Sequence, residues 1–516
     1  MSAQASPSEF KQFIITSSGK NKKELDVIKT SAISITNIYF YENLLSPYIT
    51  GVVTLVSTGS VEGVGEKGIL GNAKQLPIEA GSLIRMQVRS GTTLGPVLNF
   101  SSEEDVYKKL IVNEVQVLDR KSSKEVVQIR FTSVVGTKNE TVKIGNKLDG
   151  KISSIVEDVI LKEKFKMKED DYEVDETMNS VSMNGMNKTP FSMLGVLARQ
   201  SIPATNKGKA NPGYFFYQTK SGFKFKSISS IVSSKPFPKT YHYNGKTPDV
   251  DSVENLFKVA RFEILRDQDL IKQIESGVYS SKNFFFNPAE YKFTEIDISV
   301  GDEKLIKDKD FTPLGKKDEI TTPEVVELDI KDGQLSHRIQ TAVMSVKPLS
   351  DDGMVNKDDP ESIENNPEFW YAAGSTRYNI LFSQKIAITV PCNTALEVGM
   401  KINLETENVA YCSGIDGVDE RTSGQYIIQA LCHYFDDSRS VTSLELIRDS
   451  YGTSDSFSAD GSGDVSDSFL MGGSFGDKVT DKQSTRGFMQ WKSSVDYLTG
   501  DLLGGAFRTA LDNMGD

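Results

Sequence analysis

Residues 31–56, SAISITNIYFYENLLSPYITGVVTLV, constrain the fold of this chain more than any other stretch. Ile33 and Ile35 alternate with Ser34 and Thr36, the period of a half-buried strand. The pattern turns apolar on both faces at Ile38, Tyr39, Phe40 and Tyr41, breaks at Asn43-Leu44-Leu45-Ser46-Pro47, and resumes with Ile49, Val53 and Leu55 on one parity. Two strands joined by a short Pro-containing turn satisfy it. The doubly apolar centre needs cover on both sides, from the chain's own core or from another subunit. Ile38, Tyr39, Phe40, Tyr41 and Pro47 are therefore candidate interface residues.

Strand signals surround this stretch. Residues 13–15 and 25–28 read as a hairpin, and Ile84, Met86 and Val88 form an inward row. Leu110 and Val112 change parity across Asn113-Glu114 to Val115 and Val117, which predicts a bulge, and Val127, Ile129 and Phe131 repeat the alternation. About seven strands with polar turns and no intervening helix imply a compact barrel or sandwich. Gly63, Gly65 and Gly68 match a dinucleotide-binding spacing, but Gly71, Asn72 and Pro77 leave no room for the helix that would hold a pyrophosphate.

Beyond Gly136 the period changes. Ile152, Ile155, Val156, Val159 and Ile160 fall on one helical face with Asp149 as the expected cap, and a second helix starts at Thr189-Pro190. The methionines at 178, 183, 186 and 193 read as gap-fillers of a small core, so 141–210 is expected to form a small helical or α+β domain. Residues 214–218 and 223–228 form a hairpin with Phe223 and Phe225 on one face and solvated Lys224 and Lys226 on the other. An aromatic stripe with lysines could stack single-stranded nucleic acid. The net charge of −12 opposes that reading, since phosphate binding needs clustered Lys and Arg.

Residues 259–265 read as a strand, 368–378 as a short helix, and 350–367 as an acidic, weakly apolar segment. Strand signals return at Ile386, Ile388 and Val390, at 402–404, at 423–433 and at 441–448. After Tyr451 a Gly/Ser/Asp-rich linker leads to a terminal segment carrying Trp491, Tyr497 and Phe507, which would dock on a partner.

Three short orders carry a resemblance. "Tyr-Glu-Asn, Leu-Leu-Ser-Pro, Tyr-Ile-Thr-Gly" at 41–51, the Gly-Phe-x-Phe turn at 222–225 and "Leu-x-Val-Gly, strand, Gly-x-Tyr-x-Ile, His" at 396–433 resemble the baseplate hub proteins of contractile-tailed phages, relatives of type VI secretion tip proteins. Cys392 stands where many relatives would have Gly. The resemblance, over about residues 10–450, implies a mainly β fold with α+β insertions: two tube-type barrels, 1–140 and a discontinuous 211–235 plus 375–450, two smaller domains at 141–210 and 236–374, and a linker with a C-terminal helical segment at 451–516. It further implies a homotrimer of pseudo-sixfold symmetry in the virion tail baseplate, assembled in the host cytoplasm. Its partners would be the tail tube protein, a central spike protein, and tape measure and baseplate wedge proteins, with DNA passing transiently. The hub part of a type VI-like tip is the alternative, and a wall-degrading enzyme a further one.

Residue chemistry offers no support for an enzyme. His242, His337 and His433 are scattered, no HExxH, GxSxG or Walker pattern appears, and acidic pairs such as Asp351-Asp352 fall in turns. Neighbouring Cys432 and His433 would point to opposite faces of a strand, so neither a metal nor another cofactor is expected. Three cysteines make no disulfide framework. The first residues, MSAQASPSEF, lack the basic and apolar regions of a secretory signal, and no run approaches the roughly 18 apolar residues of a membrane span.

Overall fold

The computed structural model describes residues 7–18, 24–30, 33–58, 78–92, 94–102, 104–121, 124–204, 213–243, 253–267, 271, 275, 280–287, 291–299, 314–315, 338–343, 367–407 and 418–451. Over these the protein is mainly β, with several sheets. The first run of strands is β1 (Glu9–Thr16), β2 (Glu24–Asp26), β3 (Ile33–Asn43), β4 (Thr50–Ser57), β5 (Leu83–Arg89), β6 (Leu98–Phe100), β7 (Leu110–Lys121) and β8 (Lys124–Ser133). Then come β9 (Lys147–Lys151), β10 (Tyr172–Val174), β11 (Ser180–Asn184), β12 (Tyr214–Thr219), β13 (Gly222–Ser227), β14 (Pro236–Tyr243) and β15 (Arg261–Arg266). The remaining strands are β16 (Ser280–Asn287), β17 (Lys292–Ser299), β18 (Arg338–Val343), β19 (Gln384–Pro391), β20 (Lys401–Thr406), β21 (Gly424–Asp436) and β22 (Ser440–Arg448).

Alternation decides which side chains enter the core. Ile84, Met86 and Val88 are buried, and so are Ile38, Phe40, Val53 and Leu55. The parity change at Asn113 is a bulge: Val112 lies opposite Phe131 while Glu114 lies opposite Arg130. A break in register between Ile428 and Ala430 works the same way in β21. It leads the strand from one core, where Tyr426, Ile427 and Ile428 pack with Ile386 and Leu446, into another, where Phe435 packs with Phe40 and Phe131.

That long strand organises the fold. On one side β21 pairs with β22. On the other its first half pairs with β20 and its second half with β3, so the early and late strands belong to one 14-stranded sheet. Each half closes on itself. In the late half the order β19-β22-β21-β20-β14 returns to β19 through residues 258–260: Val259 N donates to His242 O (2.9 Å) and Ala260 N to Thr389 O (2.8 Å). In the early half the order β3-β4-β8-β7-β5-β1 returns to β21 where Ser8 N donates to Asp436 O (3.1 Å).

Several local expectations are corrected. Asp149 does not cap a helix; it lies in β9 opposite Ser182, and the helical segment begins at Ile152, passing into a wider π-type coil over Ile155–Lys164. Gly150, with φ +125°, lies inside β9 opposite Val181, and the strand ends at Lys151. The helix Pro190–Gln200 starts at Thr189-Pro190 as read, and it buries Phe191, Leu194 and Leu197. Met193 fills the small core beside it, whereas Met186 is 72% exposed. The β12–β13 hairpin joins β10 in a separate three-stranded sheet, not the 14-stranded one. Its lysines are held in ion pairs rather than solvated: Lys224 with Glu397 (3.0 Å) and Lys226 with Glu173 (2.9 Å). Conversely β14 and β15, expected in the inserted part, are hydrogen-bonded into the large sheet. The glycine-rich loop at 63–68, the segment 350–366 and everything past Tyr451 lie outside the described residues.

Gly51 shows how closely β3, β4 and β8 approach. It sits between Phe40 and Phe131, and a Cβ there would come within 2.2 Å of the Phe131 ring and 2.7 Å of Tyr39 O. Gly51→Val is expected to destabilise the protein by about 3 kcal/mol, through overpacking that the flanking rings cannot relieve. Urea denaturation with an unchanged m value checks it.

Candidate functional site

Eight strands of the large sheet run in the unbroken order β15-β19-β22-β21-β3-β4-β8-β7. Among the described residues no strand pairs with the outer edge of β15, or with β7 beyond Ile111 on the side away from β8. Both edges carry exposed apolar side chains, Ile264 and Leu265 on β15, Val117 and Leu118 on β7. An open strand edge with apolar groups is a template for pairing with another chain.

Cross-strand registers identify the face of this sheet that turns away from the two cores. One row runs Arg261, Thr389, Ser443, Cys432, Tyr41, Thr50, Thr132. The next runs Val441, Tyr434, Tyr39, Val52, Arg130, Glu114, and a third runs Asp436, Asn37, Thr54, Gln128, Gln116. Hydroxyls and amides dominate it. Its apolar part is a small cluster of Tyr39, Tyr41, Val52, Ala430, Cys432 and Tyr434, with Tyr39 and Tyr434 rings 4.9 Å apart.

The candidate interface residues divide accordingly. Ile38 and Phe40 point into the chain's own core with no exposure, so a subunit partner cannot reach them; the strand's alternation placed them there. Tyr39 and Tyr41 lie on the opposite face among the tyrosines, at 7% and 4% exposure, covered by their sheet neighbours. Pro47 is half-buried in the β3–β4 turn. Trp491, Tyr497 and Phe507 lie outside the described residues.

A site that the sequence reading passed over locks the early strands to the late ones. Glu42, fully buried at the end of β3, accepts hydrogen bonds from Lys220 N (2.7 Å) in the β12–β13 turn and from Val398 N (3.2 Å). The Lys220 ammonium donates to Leu396 O (2.8 Å) and lies 3.6 Å from Glu397, whose carboxylate also meets Ser221 Oγ (2.8 Å) and Lys224 (3.0 Å). Burial pushes Glu42 up to about 7, with Glu397 adding to the rise and Lys220 opposing it. Burial acts upward on Glu397 too, but Lys220 and Lys224 outweigh it and hold it below the usual range. Burial lowers Lys220. Glu42 in an apolar strand and a lysine in a hairpin turn were the available signals.

Cys392 and His433 meet inside the core. His433 Nδ1 is 2.8 Å from Thr442 Oγ1 and 3.9 Å from Cys392 Sγ, and both residues are fully buried. Burial raises the Cys392 thiol to about 11 and pushes His433 well below its ordinary value, the opposite of an activated thiolate–imidazolium pair. Cys432 faces the tyrosines instead. The backbone at Cys392 is not left-handed, so the position does not require glycine. Among the described residues no cluster of His, Cys, Asp and Glu is placed to hold a metal ion, and no helix is long and apolar enough to cross a membrane.

His433 has a pH consequence. Its folded form binds fewer protons than the unfolded chain below the ordinary value of 6.5, so stability falls as pH drops through that region. His433→Asn is expected to flatten that acid limb in thermal melts.

No protein-family model matches the chain, and no curated protein matches it. The chain is similar to solved structures of tail proteins. The 43 kDa tail protein of prophage MuSo2 from Shewanella oneidensis is 12% identical, over 85% of this chain and 98% of that one, with a TM-score of 0.45. A tail protein from Neisseria meningitidis MC58 is 11% identical, over 86% and 97%, with a TM-score of 0.46. An Escherichia coli component of the type VI secretion system, described as similar to the bacteriophage T4 tail proteins gp27 and gp5, is 8% identical over 81% and 75%, with a TM-score of 0.39.

Proposed function

We propose that this chain is the structural hub of a contractile tail, a trimeric ring that joins a tail tube to a central spike and leaves a channel for DNA. The observation that carries the reading is the eight-stranded run with an open edge at each end. Joined head to tail, β7 of one copy beside β15 of the next, three copies would give 3 × 8 = 24 strands in one closed sheet, and closure removes every exposed edge. Each copy contributes an early and a late closed half, so three chains would present six similar units to a sixfold tube. The short orders at 41–51, 222–225 and 396–433 support the same assignment. The work is binding and symmetry matching, not catalysis.

Sedimentation of the full-length chain tests it. The expected species is a trimer of about 171 kDa, three times 57.0 kDa. A monomer or a dimer at every concentration would overturn it.

A further inference from the structure

The sheet face that would line the channel is not acidic, although the chain carries a net charge of −12. Cross-strand registers place five acidic residues of the described chain on that face, and each sits beside a cation. Glu263 is 2.9 Å from Arg261, Glu445 2.5 Å from Lys385, Glu114 3.6 Å from Arg130, Asp119 3.5 Å from Lys121, and Asp436 3.6 Å from Arg439. Lys124 and Arg266, at opposite margins, are the further cations there. Between the pairs lie Thr50, Thr54, Thr132, Gln116, Gln128, Asn37, Thr389 and Ser443, which carry no charge.

We infer that these ion pairs mask the channel arginines from phosphate, so that double-stranded DNA passes without being held; this rests on the ring reading above. An unmasked arginine facing duplex DNA releases condensed counterions and gains affinity with each phosphate met. A carboxylate already beside the guanidinium takes that place. The acidic partner is therefore the specificity element: it sets how weakly the wall grips a polyanion.

The test uses the assembled full-length ring and a linear DNA duplex at about 50 mM salt, where phosphate contacts are strongest. Glu114→Gln with Glu263→Gln frees Arg130 and Arg261, six arginines per ring. Both glutamates are half-exposed, so the fold is retained. The expected result is weak retention by the wild-type ring and about 100-fold tighter, more steeply salt-dependent retention by the variant. Arg130→Gln with Arg261→Gln is expected to retain DNA no better than the wild type, and Glu114→Gln alone to gain retention with half the freed charge. A wild-type ring that grips DNA as tightly as the variant, or a variant ring that gains nothing, overturns the masking. A wild-type chain that never forms the trimer overturns the ring reading instead, and sedimentation tells the two apart.

Discussion

Glu42→Ala is expected to cost about 3–5 kcal/mol of stability, because it strips the backbone N–H groups of Lys220 and Val398 of their acceptor and removes a charge that, with Glu397, favours the buried Lys220 ammonium. Glu42→Gln keeps one carbonyl acceptor and nearly the same volume, so it is expected to cost about 1–2 kcal/mol. The two variants also differ in pH response from the parent. Burial raises Glu42 from 4.5 to about 7, so the folded chain keeps a proton there that the unfolded chain has lost across that window. Its contribution is complete below pH 4.5 and is lost as pH rises toward 7. Urea titrations at several pH values should show that downward slope in the parent and its absence in Glu42→Gln. An unchanged slope would remove Glu42 from the account.

Proline replacements along the outer half of β7 are expected to separate folding from assembly. Gln116 and Val117 are adjacent, and lie opposite Gln128 and Val127 in an unbroken register with β8. By the alternation of an antiparallel pair, one N–H points to β8 and the other to the open edge. Proline at the first position removes a ladder bond and is expected to lower stability by about 3 kcal/mol; proline at the second leaves the monomer stable. The second replacement is expected to shift sedimentation from about 171 kDa to 57.0 kDa, since it removes a donor from the joint between copies. Equal behaviour of the two variants would detach the β7 edge from assembly.

Local alternation made most strands legible. Residues 33–43 and 50–57, the bulge after Val112 and the strand at 440–448 follow from side-chain period and turn residues alone. Partner choice was less legible. Nothing near Tyr39 announces that it lies beside Tyr434, because pairing across the length of a chain leaves no local trace. The bulge near Gln429 hid the length of β21 by flipping its parity midway. Asp149 looked like a cap because strand β9 is too short and polar to compete as a pattern. The lysines of β13 looked solvated because their partners, Glu397 for Lys224 and Glu173 for Lys226, arrive from segments distant in the chain. Ile38 and Tyr39 shared one apolar run, and only the fold shows that one faces the core and the other the tyrosine face.

The ring itself is tested most directly by a three-dimensional reconstruction of the assembled particle by electron cryomicroscopy. The account predicts β7 of each copy lying about 4.8 Å from β15 of the next, with Tyr39, Tyr41 and Tyr434 toward the central axis. A particle in which those two edges face solvent, or in which the tyrosine face turns outward, would contradict it.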